Sequence, residues 1–468
     1  MSEDLEVVKA GASPNKRVGN VDFLTGTLWS SIIMFAIPIA ITSVLQQLFN
    51  TADIAVVGRF VAGNDALAAV GCTGPIVTLI IALFSGLAIG ANATIARHLG
   101  EGNHQKVHES VHASIAIAII AGIIIMIIGQ IIARPLLELV STPDNVMDLA
   151  VLYLRIYFAG SPFLLLYNFE SAIFRAAGDT KKPVYVLLCT GMINIVLNLF
   201  FVVICKMSID GVALATLTAD VLSAGILFIL LVRRRDVIQV IPKKIKYHNN
   251  VAKMILFIGI PSAIQGMLFN IANIILQSGV NGLGSDVVAG STVGLNIEIY
   301  AYFIITGVGQ AAITFNSQNL GAGNIKRCEQ STKWSLIIGI IVALITSTVL
   351  VLFRRQIAGI FTDDPAVIEI AATRVLLIAG FEVINVFIEV LSGALRGLGY
   401  SSIPAALCVV LICGVRIIWL FFIFPMNRTF AWLMTIYPIS WACVAIALII
   451  TYLIVRRKVR IEHTSITV

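Results

Sequence analysis

Apolar runs of about 18 residues or more recur along the whole chain, and no other feature restricts its fold as much. Hydrocarbon offers the backbone no water, so such runs are stable only where every N–H and C=O is satisfied internally, as in a helix of roughly 20 residues crossing a core about 30 Å thick. Twelve candidates stand between charged or Gly/Pro-marked breaks, near 28–57, 66–97, 108–133, 146–174, 183–205, 210–232, 252–278, 287–317, 331–353, 366–393, 401–424 and 431–455. The expected fold is an all-α membrane protein. Only 12% of the 468 residues are charged and 58% are hydrophobic, against roughly 25% charged in a soluble domain, which excludes a soluble multidomain chain. The 13 prolines and 36 glycines fit this reading, because neighbouring membrane helices re-satisfy the backbone groups they free.

An even number of spans puts both ends of the chain on one side. In this layout 23 of the 32 basic residues fall on that side, eight fall opposite and Arg416 lies within a span, so both termini are expected in the cytoplasm and the protein in the cell membrane. The net charge of +7 is then a topology signal. Arg233, Arg234, Arg235, Lys243, Lys244 and Lys246 in the central loop would also attract anionic lipid, whereas no aromatic-interleaved basic groove suggests nucleic acid. The opening MSEDLEVVKA has no basic region leading into an apolar one, so no cleaved signal peptide is expected. Seven cysteines show no CxxC or metal-like spacing and read as small packing residues.

An internal repeat divides the chain. An offset of 221 residues brings LGEGN at Leu99–Asn103 onto LGAGN at Leu320–Asn324, and Arg175, Gly178 and Pro183 onto Arg396, Gly399 and Pro404. With small slips Leu48, Phe49 and Asn50 meet Leu268, Phe269 and Asn270, and Pro38 meets Pro261. Each half therefore carries six spans and enters from the same side, giving two six-helix pseudo-symmetric lobes as parallel repeats. The expected organisation is a tail at 1–27, an N-lobe at 28–232, a linker at 233–251, a C-lobe at 252–455 and a tail at 456–468. Gly100, Gly102, Gly321 and Gly323 read as tight turns, with Asn103 and Asn324 capping the helices that follow. Neither loop has the Lys and Ser/Thr of a phosphate-binding loop, which argues against ATP as energy source.

These residues resemble the multidrug and toxic compound extrusion (MATE) family. The resemblance rests on NTADIAVVGR in the first span, the paired LGxGN loops, FRAAGDTKKP and LRGLGYSSIP after the fourth and tenth spans, NIVLN in the fifth and GVALAT in the sixth. It implies a two-lobe exporter, with no cofactor, that exchanges H+ or Na+ for small organic, often cationic, compounds by alternating access.

A carboxylate in hydrocarbon costs roughly 2.5 to 3.5 kcal/mol on insertion scales, so buried acids are the first candidates for function. Asp53 is the leading one. Gln46, Asn50 and Asp53 stand at i, i+4 and i+7 and are expected to line one face of the first span. That carboxylate could take a proton or hold a transient Na+. Thr190, Asn194 and Asn198 supply oxygens along the fifth span. Related prokaryotic exporters often carry Asp where Asn198 stands, and Asp220, four residues after Thr216 on the sixth span, is a candidate replacement. In the C-lobe Asn270, Asn273 and Gln277 repeat the polar stripe, with Asn273 in the place of Asp53. Acidity there comes from Glu298, set among Tyr300, Tyr302 and Phe303 where it could attract a lipophilic cation, and from Glu382 and Glu389, aligned with Asn385. Glu170 reads as an interfacial acid beside Arg175.

Two other functions remain to be separated from export. A lipid-linked oligosaccharide flippase shares the architecture and would need a wide basic cavity, whereas no intramembrane basic cluster is evident beyond Arg416. His108, Glu109 and His112 spell HExxH, the helical zinc motif of metalloproteases. The motif sits at the polar entry to the third span, beside His98 and His104, and Asp210, the only third ligand to suggest, falls on the opposite side. No zinc is expected.

Overall fold

The computed structural model describes residues 21–61 and 64–466. Twelve helices long and apolar enough to cross a membrane follow one another: Leu28–Phe60, Ala68–Gly100, His104–Leu139, Asp144–Ala176, Lys181–Ile204, Ile209–Val232, Asn249–Asn281, Ser285–Gly321, Ile325–Leu352, Pro365–Gly397, Ser402–Met426 and Phe430–Glu462. Among the described residues they are the twelve expected, several of them extended by a turn or more at one end. A 33-residue helix such as the first measures about 50 Å at 1.5 Å per residue, more than the hydrocarbon requires, so the ends stand in the interfaces or the helix tilts. Helical structure continues to Ile466, so most of the expected C-terminal tail prolongs the last helix. Residues 1–20 of the N-terminal tail lie outside the described residues.

The glycine-rich loops behave as capped turns. Gly102 and Gly323 take positive φ, +64° and +71°, and the Asn103 and Asn324 side chains accept from the backbone N–H of Lys106 and Arg327 at 3.0 and 3.1 Å. Gly100 and Gly321 have another task, because they are still helical and sit at the lobe contact. A methyl on Gly100 would stand 1.9 Å from the Gln318 carbonyl oxygen, and one on Gly321 would stand 2.0 Å from that of Arg97. Each loop's first glycine thus admits the backbone of the other repeat.

The lobes meet along the second helix against the seventh and eighth, and along the first against the eighth. Asn92 Nδ2 donates to Thr314 Oγ1 at 3.0 Å across the pseudo-twofold axis, and Gln318 Nε2 donates to the Ala176 carbonyl at 2.8 Å. The close inter-lobe approaches reach from the glycine loops out to Gly266 beside Ala82 and Gly307 beside Ala36. Residues 21–26 add a strap at the same face. Phe23 stacks edge-on against Phe35 and Phe315, its carbonyl accepts from Asn319 and Arg327, and the Gly26 carbonyl accepts from Arg327 as well.

The basic linker is held to the N-lobe. Arg234 bridges Asp179 at 3.1 Å and Asp236 at 2.5 Å. Burial disfavours the Arg234 charge, but these two carboxylates more than offset that and hold its pKa above the usual arginine value. Of the cysteines only Cys328 and Cys408 are buried, while Cys189 and Cys205 are exposed, so a packing role fits two and not the set.

Candidate functional site

In the N-lobe the first, fifth and sixth helices converge on one carboxylate. Phe49 packs its ring over Gly191, and one turn on Asp53 faces Asn198, so the first helix meets the fifth through i and i+4 positions. Asp53 is buried, at 9% exposure. Its Oδ1 accepts from Asn198 Nδ2 at 2.5 Å and its Oδ2 from Thr216 Oγ1 at 3.2 Å. The same Asn198 amide donates to Asn194 Oδ1 at 3.1 Å, and Asn194 Nδ2 donates to Thr216 Oγ1 at 3.3 Å. Four side chains from three helices thus form one ring of hydrogen bonds.

One acceptor in that ring is left over. Asn198 Oδ1 is buried without a hydrogen-bond partner, so the cluster presents a carboxylate and an unsatisfied oxygen, the chemistry a hard cation or a proton-bearing group would complete. The expected polar stripe of the first helix does not hold as a unit. Asn50 is exposed and Gln46 half-buried, and no hydrogen bond joins either to the ring. Thr190 bonds instead to Ser223 Oγ at 2.7 Å. Asp220 lies beside Gly160 on the fourth helix, within electrostatic range of Asp53, and no hydrogen bond joins it to the ring.

The C-lobe differs from expectation more sharply. Glu298 does not offer a free carboxylate to a cation: Arg374 reaches it through Nη2 at 2.8 Å and through Nε at 3.3 Å, with both residues buried. Arg374 also donates to Ser291 Oγ at 2.7 Å. Among the stripe of the seventh helix only Asn273 reaches another helix, accepting from Arg416 Nη1 at 2.7 Å, while Asn270 bonds to the Gly266 carbonyl of its own helix and Gln277 to Asn281. Deeper in the lobe Glu382 accepts from Asn385 at 3.0 Å and Glu389 from the Tyr302 hydroxyl at 3.4 Å. Glu170 is fully buried with neither oxygen partnered, which overturns the interfacial reading.

Arg374, Arg416 and Tyr437 were not among the residues expected to matter. Both guanidiniums lie over the Tyr437 ring, at 5.7 and 4.5 Å. An arginine inside an apolar run was the available signal, and it was as strong as the signal from the buried acids. Replacing Arg374 by methionine should leave Glu298 buried without a countercharge and cost about 3–5 kcal/mol, whereas Glu298→Met combined with Arg374→Met should recover most of that. Thermal unfolding of the detergent-solubilised protein measures this; a single variant as stable as wild type would count against a tight pair.

In the HExxH motif the second imidazole is already engaged. His112 uses both ring nitrogens, Nδ1 toward the His108 carbonyl at 2.7 Å and Nε2 as acceptor for the Ile241 N–H at 3.0 Å, so its lone pair holds the linker. No group of three metal-ligating side chains occurs among the described residues.

A family model described as MatE matches residues 38–200 and again 261–426, one block in each lobe. The chain belongs to the MatE family. Its spans and family make it a multi-pass membrane transporter and not an enzyme. It is similar to the "Probable multidrug resistance protein YoeA" of Bacillus subtilis, 25% identical over 398 residues that cover 84% of this chain and 86% of that one. The "Probable multidrug resistance protein NorM" of Thermotoga maritima is 26% identical over 390 residues, covering 82% and 83%. A solved structure described as the outward-facing conformation of a multidrug resistance MATE family transporter of the MOP superfamily superposes with a TM-score of 0.84 at 24% identity, over 95% of this chain and 99% of that one.

Proposed function

We propose that this MatE-family protein is a secondary multidrug efflux antiporter that exchanges H+ or Na+ for small organic compounds, cationic ones among them, by alternating access. The observation that carries the reading is the Asp53 ring, a buried carboxylate tied to Asn198 and Thr216 beside an unsatisfied Asn198 Oδ1. Entry of a cation there would exchange hydrogen bonds among Asp53, Asn194, Asn198 and Thr216 and so alter how the first, fifth and sixth helices pack. The ion can shift the balance between two states only by its difference in affinity for them. The relatives' names as multidrug resistance proteins support the export of drug-like compounds.

The lobes are closed at the face that carries both glycine loops and the linker. With both termini in the cytoplasm of a cell-membrane protein, as the distribution of basic residues suggests, that is the cytoplasmic face, and the lobes are closed toward the cytoplasm. Efflux of ethidium from proteoliposomes, driven separately by a Na+ gradient and a pH gradient, tests the proposal. One gradient should accelerate efflux and the other should not; acceleration by neither overturns the antiport reading. In this assay Asp220→Asn should keep coupled efflux within about threefold of wild type. A loss as deep as that of an Asp53 variant would instead make Asp220 the second carboxylate of the site.

A further inference from the structure

The repeat that relates the two lobes relates their polar centres as well, and it reverses their charge. At the repeat offset Tyr437 stands for Thr216 and Trp419 for Asn198, Asn273 stands for Asp53 with a slip of one residue, and Arg416 falls one residue past the counterpart of Asn194. The seventh, eleventh and twelfth helices therefore build in the C-lobe what the first, fifth and sixth build in the N-lobe. The N-lobe centre has a carboxylate and a buried oxygen with no donor. The C-lobe centre has a guanidinium with a buried donor left over, Arg416 Nη2, and on the eleventh and twelfth helices Trp419 Nε1 and Trp441 Nε1 are buried N–H groups with no acceptor.

Arg416 is 1% exposed. Nη1 is held by Asn273, Nε lies 3.4 Å from Ser440 Oγ, and the rings of Tyr437 and Phe269 cover the guanidinium at 4.5 and 5.3 Å. No carboxylate pairs with it among the described residues. Glu298 is engaged by Arg374, whose guanidinium shares the Tyr437 ring with Arg416, so among the paired groups of this cluster two guanidiniums are matched by one carboxylate. Burying an unpaired cation at membrane depth is costly, and its retention points to a use.

We propose that this centre is a binding subsite for an oxyanion, the carboxylate or phosphate of a transported organic compound, with Arg416 as its principal ligand. The class follows from the donors. A guanidinium is a planar fork matched to two oxygens, and indole N–H groups donate without accepting, so the set recognises an acceptor-only group. Phe269 and Asn273, half-buried on the seventh helix, stand over the guanidinium and would yield to an aromatic acid whose ring stacks on Phe269. The proposal deepens the efflux reading and rests on it: the substrates include compounds with an anionic group, not cations alone.

Binding and transport can be tested apart. Benzoate should raise the unfolding temperature of the solubilised protein saturably, chloride at equal ionic strength should not, and Arg416→Gln should abolish the benzoate effect while Arg416→Lys, which keeps the charge and loses the fork, retains part of it. Asn273→Asp guards against a variant that simply fails to fold. It sets a carboxylate of nearly the same size beside Arg416, and should abolish the benzoate effect without lowering the unfolding temperature. In proteoliposomes the ratio of carboxyfluorescein to ethidium efflux should fall tenfold or more in Arg416→Gln. An equal response to chloride and benzoate, a benzoate effect that survives in Asn273→Asp, or an unchanged efflux ratio overturns the proposal. Benzoate binding of the expected pattern in a protein that moves neither dye would retain the anion site and dismiss the efflux reading.

Discussion

Asp53→Asn should reduce gradient-driven ethidium efflux by about a hundredfold or more, because moving a two-state equilibrium from one side to the other takes about a 10⁴-fold difference in ligand affinity, and the substitution removes the charge that supplies it. The amide has the size of the carboxylate and can still bond to Asn198 and Thr216, which keeps the first helix packed on the fifth and sixth. What it cannot do is hold a proton or neutralise a cation. Exchange of ethidium across the membrane without any gradient should therefore continue in the variant, and uphill efflux should stop. This split between exchange and coupling distinguishes a lost ion site from a damaged fold. Coupled efflux at the wild-type rate would remove Asp53 from the mechanism.

The spans, the two lobes and the capped loops were legible because each leaves a local signature. Apolar length defines a span, a fixed offset defines a repeat, and an asparagine three residues before a backbone N–H defines a cap, as Asn103 and Asn324 do. Asp53, Asn194, Asn198 and Thr216 were legible for a related reason, since a charge or amide in an apolar run is conspicuous. Partner choice was not legible. Nothing in the spacing of Glu298 says that Arg374, 76 residues later, will face it, and nothing in the stripe Asn270, Asn273 and Gln277 says that only the middle residue meets Arg416. Helical periodicity assigns a residue to a face of its own helix, while the helix on the other side is set by tertiary packing. The same limit holds for Gln46 and Asn50, which share a stripe with Asp53 while only Asp53 bonds to the fifth and sixth helices.

By spacing Gly100 and Gly321 read as turn residues, and their structural placement predicts a much larger effect than a turn would. The Cβ of Gly100→Ala would enter to 1.9 Å of the Gln318 carbonyl oxygen, and that of Gly321→Ala to 2.0 Å of the Arg97 carbonyl oxygen. Real Cβ atoms do not approach backbone that closely, and neither oxygen is on a side chain that could swing aside. The lobes themselves must separate at this face. Spin labels at positions 106 and 326, just beyond the two loops, should report a longer distance in either variant, and coupled efflux should fall by about tenfold or more as the closed state loses population. Because both residues act on one interlock, the double variant should show little more than either single one, a departure from additivity expected of residues in contact. Gly102→Ala and Gly323→Ala are the internal control. Gly102 has open space around it, and both positions need only the positive φ, so their cost of roughly 1–2 kcal/mol is a local backbone strain that leaves the label distance as in wild type. If all four substitutions moved the labels alike, or if Gly100→Ala and Gly321→Ala moved them no more than the controls, the interlock would not be what holds the lobes together. Otherwise the two glycines of each LGxGN loop, two residues apart, divide two physical tasks: the first sets how closely the repeats approach, and the second lets the chain turn into the next helix.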